Sequence, residues 1–184
     1  MVIQSFLSRL RTFANETRGS VSVEFALIMP LLFWAYMASY VFFEGYRQSS
    51  VNLKAAYTIG DLISRETNVI TDEYIDSMQS LMELLTRASS SVDLRISVIR
   101  WDEDNNSYYV DWSQTRGFTT ALTNADMEAL ETQLPVMPDN ERVILVETVN
   151  VFEPPFNIGM DNVDLENFIF TRPRFAPQVL YSSS

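Results

Sequence analysis

The sequence predicts an α+β protein: a long N-terminal hydrophobic (transmembrane) helix followed by a small external domain of helices packed on an antiparallel sheet. One observation is a strongly apolar run, residues 25–43, that contains no charged side chain. The other is a change of periodicity further along the chain, where helical spacing at 75–88 gives way to strand alternation at 92–101. We therefore expect four parts, which are a leader (1–19), a transmembrane helix (20–43), a helical extension (44–70) and an α+β domain (71–184).

The apolar run is long enough to cross a membrane. Residues 21–43 read VSVEFALIMPLLFWAYMASYVFF. About 20 residues at ~1.5 Å each span the ~30 Å hydrocarbon core of a bilayer. Pro30 removes one backbone hydrogen bond, and membrane helices tolerate this. Contact with a lipid bilayer is therefore expected.

The helix is predicted to continue beyond the membrane. A set of residues at rough helical spacing defines the spine of this extension: Tyr46, Ser50, Leu53, Ala56, Tyr57 and Leu62. Gly45 and Gly60 weaken the helix and mark possible bends.

Composition excludes several classes of function. The net charge is −11 and the pI is near 4.4, which argues against a basic nucleic-acid footprint. The absence of Cys excludes disulfides and thiolate chemistry, and the absence of His removes the commonest general base and transition-metal ligand. We expect no enzymatic activity, no cofactor, no bound metal and no nucleic-acid partner.

The residues at the start of the apolar run form a recognisable pattern. They read Arg18-Gly19-Ser20-Val21-Ser22-Val23-Glu24-Phe25, with a Gly just outside the run, an acid five residues on and an aromatic next to it. This resembles the processing site of type IV pilin-like precursors, and most closely the TadE/TadF-like pseudopilin (minor pilin) family of the tight-adherence (Flp, type IVb) pilus system. The likeness covers roughly residues 18–65. It implies that a prepilin peptidase cuts between Gly19 and Ser20.

The resemblance also implies a role for the acid. After cleavage Ser20 would carry a free α-amine, and Glu24 would face the terminal amine of a neighbouring subunit. Glu24 and Phe25 are thus the expected assembly and processing residues. The implied partners are the prepilin peptidase, other pilin or pseudopilin subunits and the inner-membrane assembly platform.

Three functions remain open. The first is a non-enzymatic pseudopilin needed for assembly of Flp-type pili. The second is an uncleaved, single-pass, membrane-anchored periplasmic binding module, which the apolar helix predicts equally well. The third and weakest is an anchored hydrolase that uses a pair of buried acids. Neither the TadE-like nor the TadF-like branch is favoured.

Flanking charges set the expected orientation. Arg9, Arg11 and Arg18 precede the helix, whereas Arg47 and Lys54 follow it. This modest bias favours a cytoplasmic N-terminus and a periplasmic C-terminal domain in the bacterial inner membrane.

The external domain has clear local signals. Thr71 is suited to cap a helix that ends near residues 88–91. Strands are predicted at 92–101, 108–112, 142–152 and 168–170, with a helix at 123–134 and an acidic loop at 162–166.

Three features of this domain are candidates for chemistry. Glu147, on the predicted central strand, is expected on the solvent face because no partner base is evident. The turn at 102–107 places Asp102, Asp104 and Asn106 at calcium-ligand spacing, but Ser107 and Ser113 occupy the Gly and Glu positions, so a solvated hairpin tip is favoured. Arg172 and Arg174 are expected to form an internal salt-bridge clamp, with contact to an acidic partner as the alternative.

Overall fold

The computed structural model describes residues 20–88 and 91–183. Its helices are α1 (Ser20–Ser64), α2 (Asp72–Thr86) and the single-turn α3 (Met127–Leu130), which follows a 3₁₀ turn at Asn124–Asp126. Its strands are β1 (Asp93–Asp102), β2 (Ser107–Arg116), β3 (Arg142–Phe152) and β4 (Val163–Thr171). The predicted α+β class, with a candidate transmembrane helix, is confirmed.

The described residues form two compact units. The first contains residues 20–44 of α1 together with Pro155–Met160. The second contains Gly45–Pro154 and the chain from Asp161 onward. The predicted leader, including Gly19, lies outside the described residues.

The sheet of the second unit is antiparallel with strand order β2-β1-β3-β4. The predicted central strand at 142–152 is one of the two inner strands, and its run of Val, Ile and Leu is buried on both faces. A bulge in the β1–β2 pairing occurs between Val98 and Ile99. Such a bulge inserts an unpaired residue, and here Asp111 of β2 has no partner in the register.

The face of the sheet that carries Leu94, Ile96 and Val98 packs against α2 and the C-terminal part of α1. Ala55, Ala56, Ile59 and Ile63 form the buried stripe of α1. Thr71 caps α2 as predicted, since its side chain accepts a hydrogen bond from the Tyr74 backbone N–H.

The predicted spine of the helical extension is largely wrong. Tyr46, Leu53 and Tyr57 are exposed, whereas Asn52, which the sequence places on a polar face, is fully buried. The Asn150 Nδ2 donates to Asn52 Oδ1 across the helix–sheet interface at 3.1 Å. The buried contact is made by two amide side chains. For this reason, the spacing of apolar residues in the sequence predicts the wrong buried side of the helix.

The glycines of α1 are sites of close packing within a continuous helix. A Cβ added at Gly60 would lie 3.3 Å from Ile169 Cδ1, and one at Gly45 would lie 3.4 Å from a ring carbon of Phe152. The helix continues through both glycines and ends at Ser64, six residues before the predicted end of the extension.

The opposite face of the sheet carries a second core. Its buried members include Ile99, Val143 and Leu145, and it is covered by Met127 of α3 and by Leu134 and Met137 from the loop after it. The helix predicted at 123–134 is shorter, because only the turn Asn124–Asp126 and α3 are helical. The predicted acidic loop at 162–166 is wrong as well, since most of it belongs to β4.

Candidate functional site

The most unusual surface is the N-terminal part of α1. Side chains from Val21 to Tyr36 are all exposed, with Leu27 at 73% and Leu31 at 65%. Residues 21–43 extend about 35 Å at ~1.5 Å per residue, and this exceeds the ~30 Å hydrocarbon core. Within the described part of the chain, α1 is the one helix long and apolar enough to cross a membrane. A core helix of similar composition would be buried, so this surface is suited to lipid or to other apolar helices.

One carboxylate accompanies this surface. Glu24 is exposed and lies on α1 one helical turn after Ser20. The neighbouring Phe25 is also exposed, at 62%. No charged residue follows in α1 until Glu44. An isolated carboxylate beside an apolar surface is costly in a bilayer unless it meets a cation or water, so Glu24 can favour arrangements that bring a positive group to it.

The apolar surface ends in aromatic side chains. Tyr36 and Tyr40 are exposed, and the Tyr40 ring makes an edge contact with Phe156, with 5.9 Å between ring centroids. Aromatic residues of this kind are common at membrane–water interfaces. Trp34, six residues before Tyr40 and nearer the middle of the apolar run, is 54% exposed.

Glu147 is not on the solvent face. It is 9% exposed, and both of its carboxylate oxygens accept hydrogen bonds from the Arg95 guanidinium at 2.6 Å. Arg95 also lies over the Phe118 ring, 4.7 Å from its centroid, and donates to the Thr120 carbonyl oxygen. A carboxylate held in this bidentate pair is not available as a general base. The signal that sequence reasoning missed is a lone acid inside a continuous apolar strand, which requires a buried cationic partner.

The arginine clamp is present. Arg172 Nε lies 3.0 Å from Glu141 Oε1, and Arg174 Nη1 lies 3.1 Å from Asp61 Oδ1. Arg174 also donates its backbone N–H to the Ser64 carbonyl oxygen at the end of α1. These contacts connect the chain after β4 to α1 and to the residue that precedes β3.

The turn with partial calcium spacing is a hydrogen-bonded hairpin tip. The Asp102 carboxylate accepts from the backbone N–H and from the side-chain amide of Asn105, and these bonds lower the pKa of Asp102. In residues 20–88 and 91–183, no cluster of three Asp or Glu side chains could hold a metal ion. The Asp102 carboxylate oxygens therefore stabilise the turn through these hydrogen bonds.

The remaining candidates for acid–base chemistry are also structural. Arg116 pairs with Asp72 and Asp76, and its hydrogen bond to Asp76 is the main reason that its pKa is raised. Burial, together with the neighbouring Glu66, raises the pKa of Tyr74. Of the described Asp and Glu residues, only Glu147 is buried, so the described residues contain no facing pair of buried acids of the kind that the hydrolase hypothesis requires.

Comparison with known proteins identifies no relative of this chain. No protein-family model matches the chain, and neither a curated protein nor a solved structure matches it. The fold and the candidate site thus define an α+β domain joined to one helix that is able to cross a membrane.

Proposed function

We propose that this chain is a non-enzymatic pseudopilin or minor pilin that takes part in the assembly of Flp-type pili. The observation that carries the proposal is the exposed apolar surface of α1 from Val21 to Tyr36 with a single acid, Glu24, one turn after Ser20. Copies packed side by side would bury that surface and would have to satisfy the carboxylate. A neighbouring subunit's amine at Ser20 would do so.

Processing supplies that amine. In this proposal a prepilin peptidase cuts the chain after Gly19, removes three arginines and one glutamate, and leaves Ser20 as the new N-terminus. Glu24 then lies about 6 Å along the helix axis from that residue, at ~1.5 Å per residue. Within one apolar bundle, the amine of one copy and the carboxylate of the next offset part of each other's desolvation cost, which penalises wrong registers.

The chain would cross the bacterial inner membrane once, with its N-terminus in the cytoplasm and its sheet domain in the periplasm. Its partners would be other pilin or pseudopilin subunits and the inner-membrane assembly platform. The three arginines before the helix, against two basic residues soon after it, support this orientation.

Substitution at Glu24 tests the proposal. Glu24→Ala should insert into the membrane at the wild-type level, yet enter pili or cross-linked assemblies poorly. Ser22→Ala, two residues away on the same helix, is the matched control and should assemble normally. Wild-type assembly of Glu24→Ala would contradict the role of the carboxylate.

The alternative is a single-pass anchored module that keeps its leader. The same helix favours it, because an anchor needs only length and apolarity. The two functions differ at Gly19. Replacing Gly19 with a bulky residue should prevent the loss of the leader only if a prepilin peptidase recognises this site, and it should change nothing in an uncleaved anchor.

A further inference from the structure

The connection between β3 and β4 is unusual for a hairpin loop. Its central residues, 154–160, read PPFNIGM and carry no charge, although Glu153 and Asp161 flank them directly. The β1–β2 turn of the same sheet, residues 103–106, reads EDNN and contains two acids and no apolar residue. Loop tips in water are ordinarily polar, so an apolar tip bounded by two acids suggests a different environment.

This loop packs on the apolar part of α1. Pro155–Met160 belongs to the same compact unit as residues 20–44 of the helix. Phe156 contacts Tyr40 through their rings, at 5.9 Å between centroids. Glu44 is the first charged residue after the apolar run. Tyr40 lies about 6 Å before it along the helix axis, at ~1.5 Å per residue. Phe156 is thus level with the charge-free portion of the helix.

The loop also presents apolar surface outward. Phe156 remains 40% exposed despite its contact with Tyr40, and Ile158 and Met160 are half-buried. A Cβ placed on Gly159 would meet nothing within 4 Å. The loop therefore adds apolar side chains beside the apolar surface of α1, with Phe156 in contact with it.

The backbone of the loop is adapted to a dry environment. Pro154 and Pro155 have no N–H group, which removes two donors that would otherwise have to be desolvated. The Gly159 N–H donates to the Asn157 Oδ1 at 3.2 Å, which satisfies a further donor at the tip. Gly159 has a φ of +88°, which permits this tight turn.

We propose that residues 154–160 form a second membrane contact, a loop that inserts its apolar side chains into the interface of the bilayer that α1 spans. In the membrane-inserted chain before assembly, the occupant of this surface is lipid, because the loop lies beside the surface that lipid would then cover on α1. Glu153 and Asp161 limit the depth of insertion and oppose attraction to anionic headgroups, so the contact is hydrophobic. The inference rests on the proposed membrane placement of α1.

Spin labels can measure this directly, because the chain contains no cysteine. We suggest single Ile158→Cys and Met160→Cys variants of the full chain, labelled and reconstituted in phosphatidylcholine nanodiscs. Leu32→Cys is the control within the spanning helix, and Asn105→Cys is the control in the acidic turn. Collision with oxygen, which concentrates in lipid, is compared with collision with a water-soluble nickel chelate.

The expected oxygen-to-nickel ratio at positions 158 and 160 lies above that at 105 and below that at 32. Adding Phe156→Asp to Ile158→Cys should lower the ratio. If the loop labels match position 105 while position 32 reports lipid, the loop proposal fails and the membrane helix stands. A loop label shielded from both reagents would indicate a protein partner or a second copy, and would also overturn it. A water-exposed label at position 32 would refute the placement of α1 itself.

Discussion

The buried pair of Arg95 and Glu147 gives the sharpest test of how the sheet domain is stabilised. Their side chains are 15% and 12% exposed, and two hydrogen bonds of 2.6 Å join them across β1 and β3. Arg95→Met removes the cation and leaves the carboxylate buried without a partner. Breaking a buried pair from one side costs about 3–5 kcal/mol of unfolding free energy.

That cost corresponds to a large thermal shift. The second unit contains roughly 130 residues, and the unfolding entropy of about 2.1 cal/mol/K per residue gives about 0.27 kcal/mol/K. Arg95→Met should therefore lower the Tm of the domain by about 11–18 °C. Thermal unfolding of the full chain in nanodiscs, followed by near-ultraviolet circular dichroism, measures this shift.

Two further variants make the test specific. Arg95→Met combined with Glu147→Met removes both charges, and we expect it to regain most of the lost stability, because replacing a buried pair with apolar residues is often neutral. Arg65→Met removes an exposed partner of Asp61, but Asp61 keeps its contact with Arg174. This variant should lose less than about 1 kcal/mol of unfolding free energy. If Arg95→Met costs no more than Arg65→Met, the pair is not energetically buried and the reasoning fails.

Two other predictions concern the helix–sheet core and the turn before α3. Ile59→Ala should lower the unfolding free energy by about 2–5 kcal/mol in urea titration, because Ile59 is fully buried, whereas exposed Leu53→Ala should change it by less than about 0.5 kcal/mol. Equal losses would contradict the assigned helix face. Hydrogen bonds from the Thr123 hydroxyl and backbone N–H lower the pKa of Asp126. These bonds therefore stabilise the folded state fully at pH values above the unfolded pKa of Asp126. The stabilisation is lost as the pH falls through the folded pKa. Carboxyl NMR titration should show Thr123→Val raising that pKa and Thr123→Ser preserving it; an unchanged value in Thr123→Val would refute this cause.

The elements that sequence predicted well are those whose local signals agree with their burial. The apolar run of α1 is defined by composition alone, and α2 has both a cap at Thr71 and an amphipathic stripe. The Val- and Ile-rich segment that forms β3 is a strand over the predicted residues, 142–152. In each case propensity, pattern and tertiary environment favour the same structure.

The errors occur where tertiary contacts override local pattern. Asp164 and Glu166 suggested a loop, yet they lie on the edge strand β4, where charged residues remain in water while the backbone pairs with β3. Asn52 and Glu147 are buried because Asn150 and Arg95, distant in sequence, satisfy them. No local window contains either partner, so periodicity alone could not place these side chains.

For the candidate site, sequence supplied the helix, its acid and its aromatic end. The contact between Phe156 and Tyr40 could not be predicted, because more than 100 residues separate the loop from the helix. The apolar loop is nevertheless visible in the sequence once its two acidic flanks are noticed. Its proposed role follows from that placement beside the charge-free part of α1.

The N-terminal residue of the protein recovered from the membranes of its native cell is the most direct test of the proposed pilin-like role. Mass spectrometry of that protein should find Ser20 as the first residue, with a free α-amine. A chain that still carries residues 1–19 would contradict the proposal, and would leave a tethered domain whose helix serves only as an anchor.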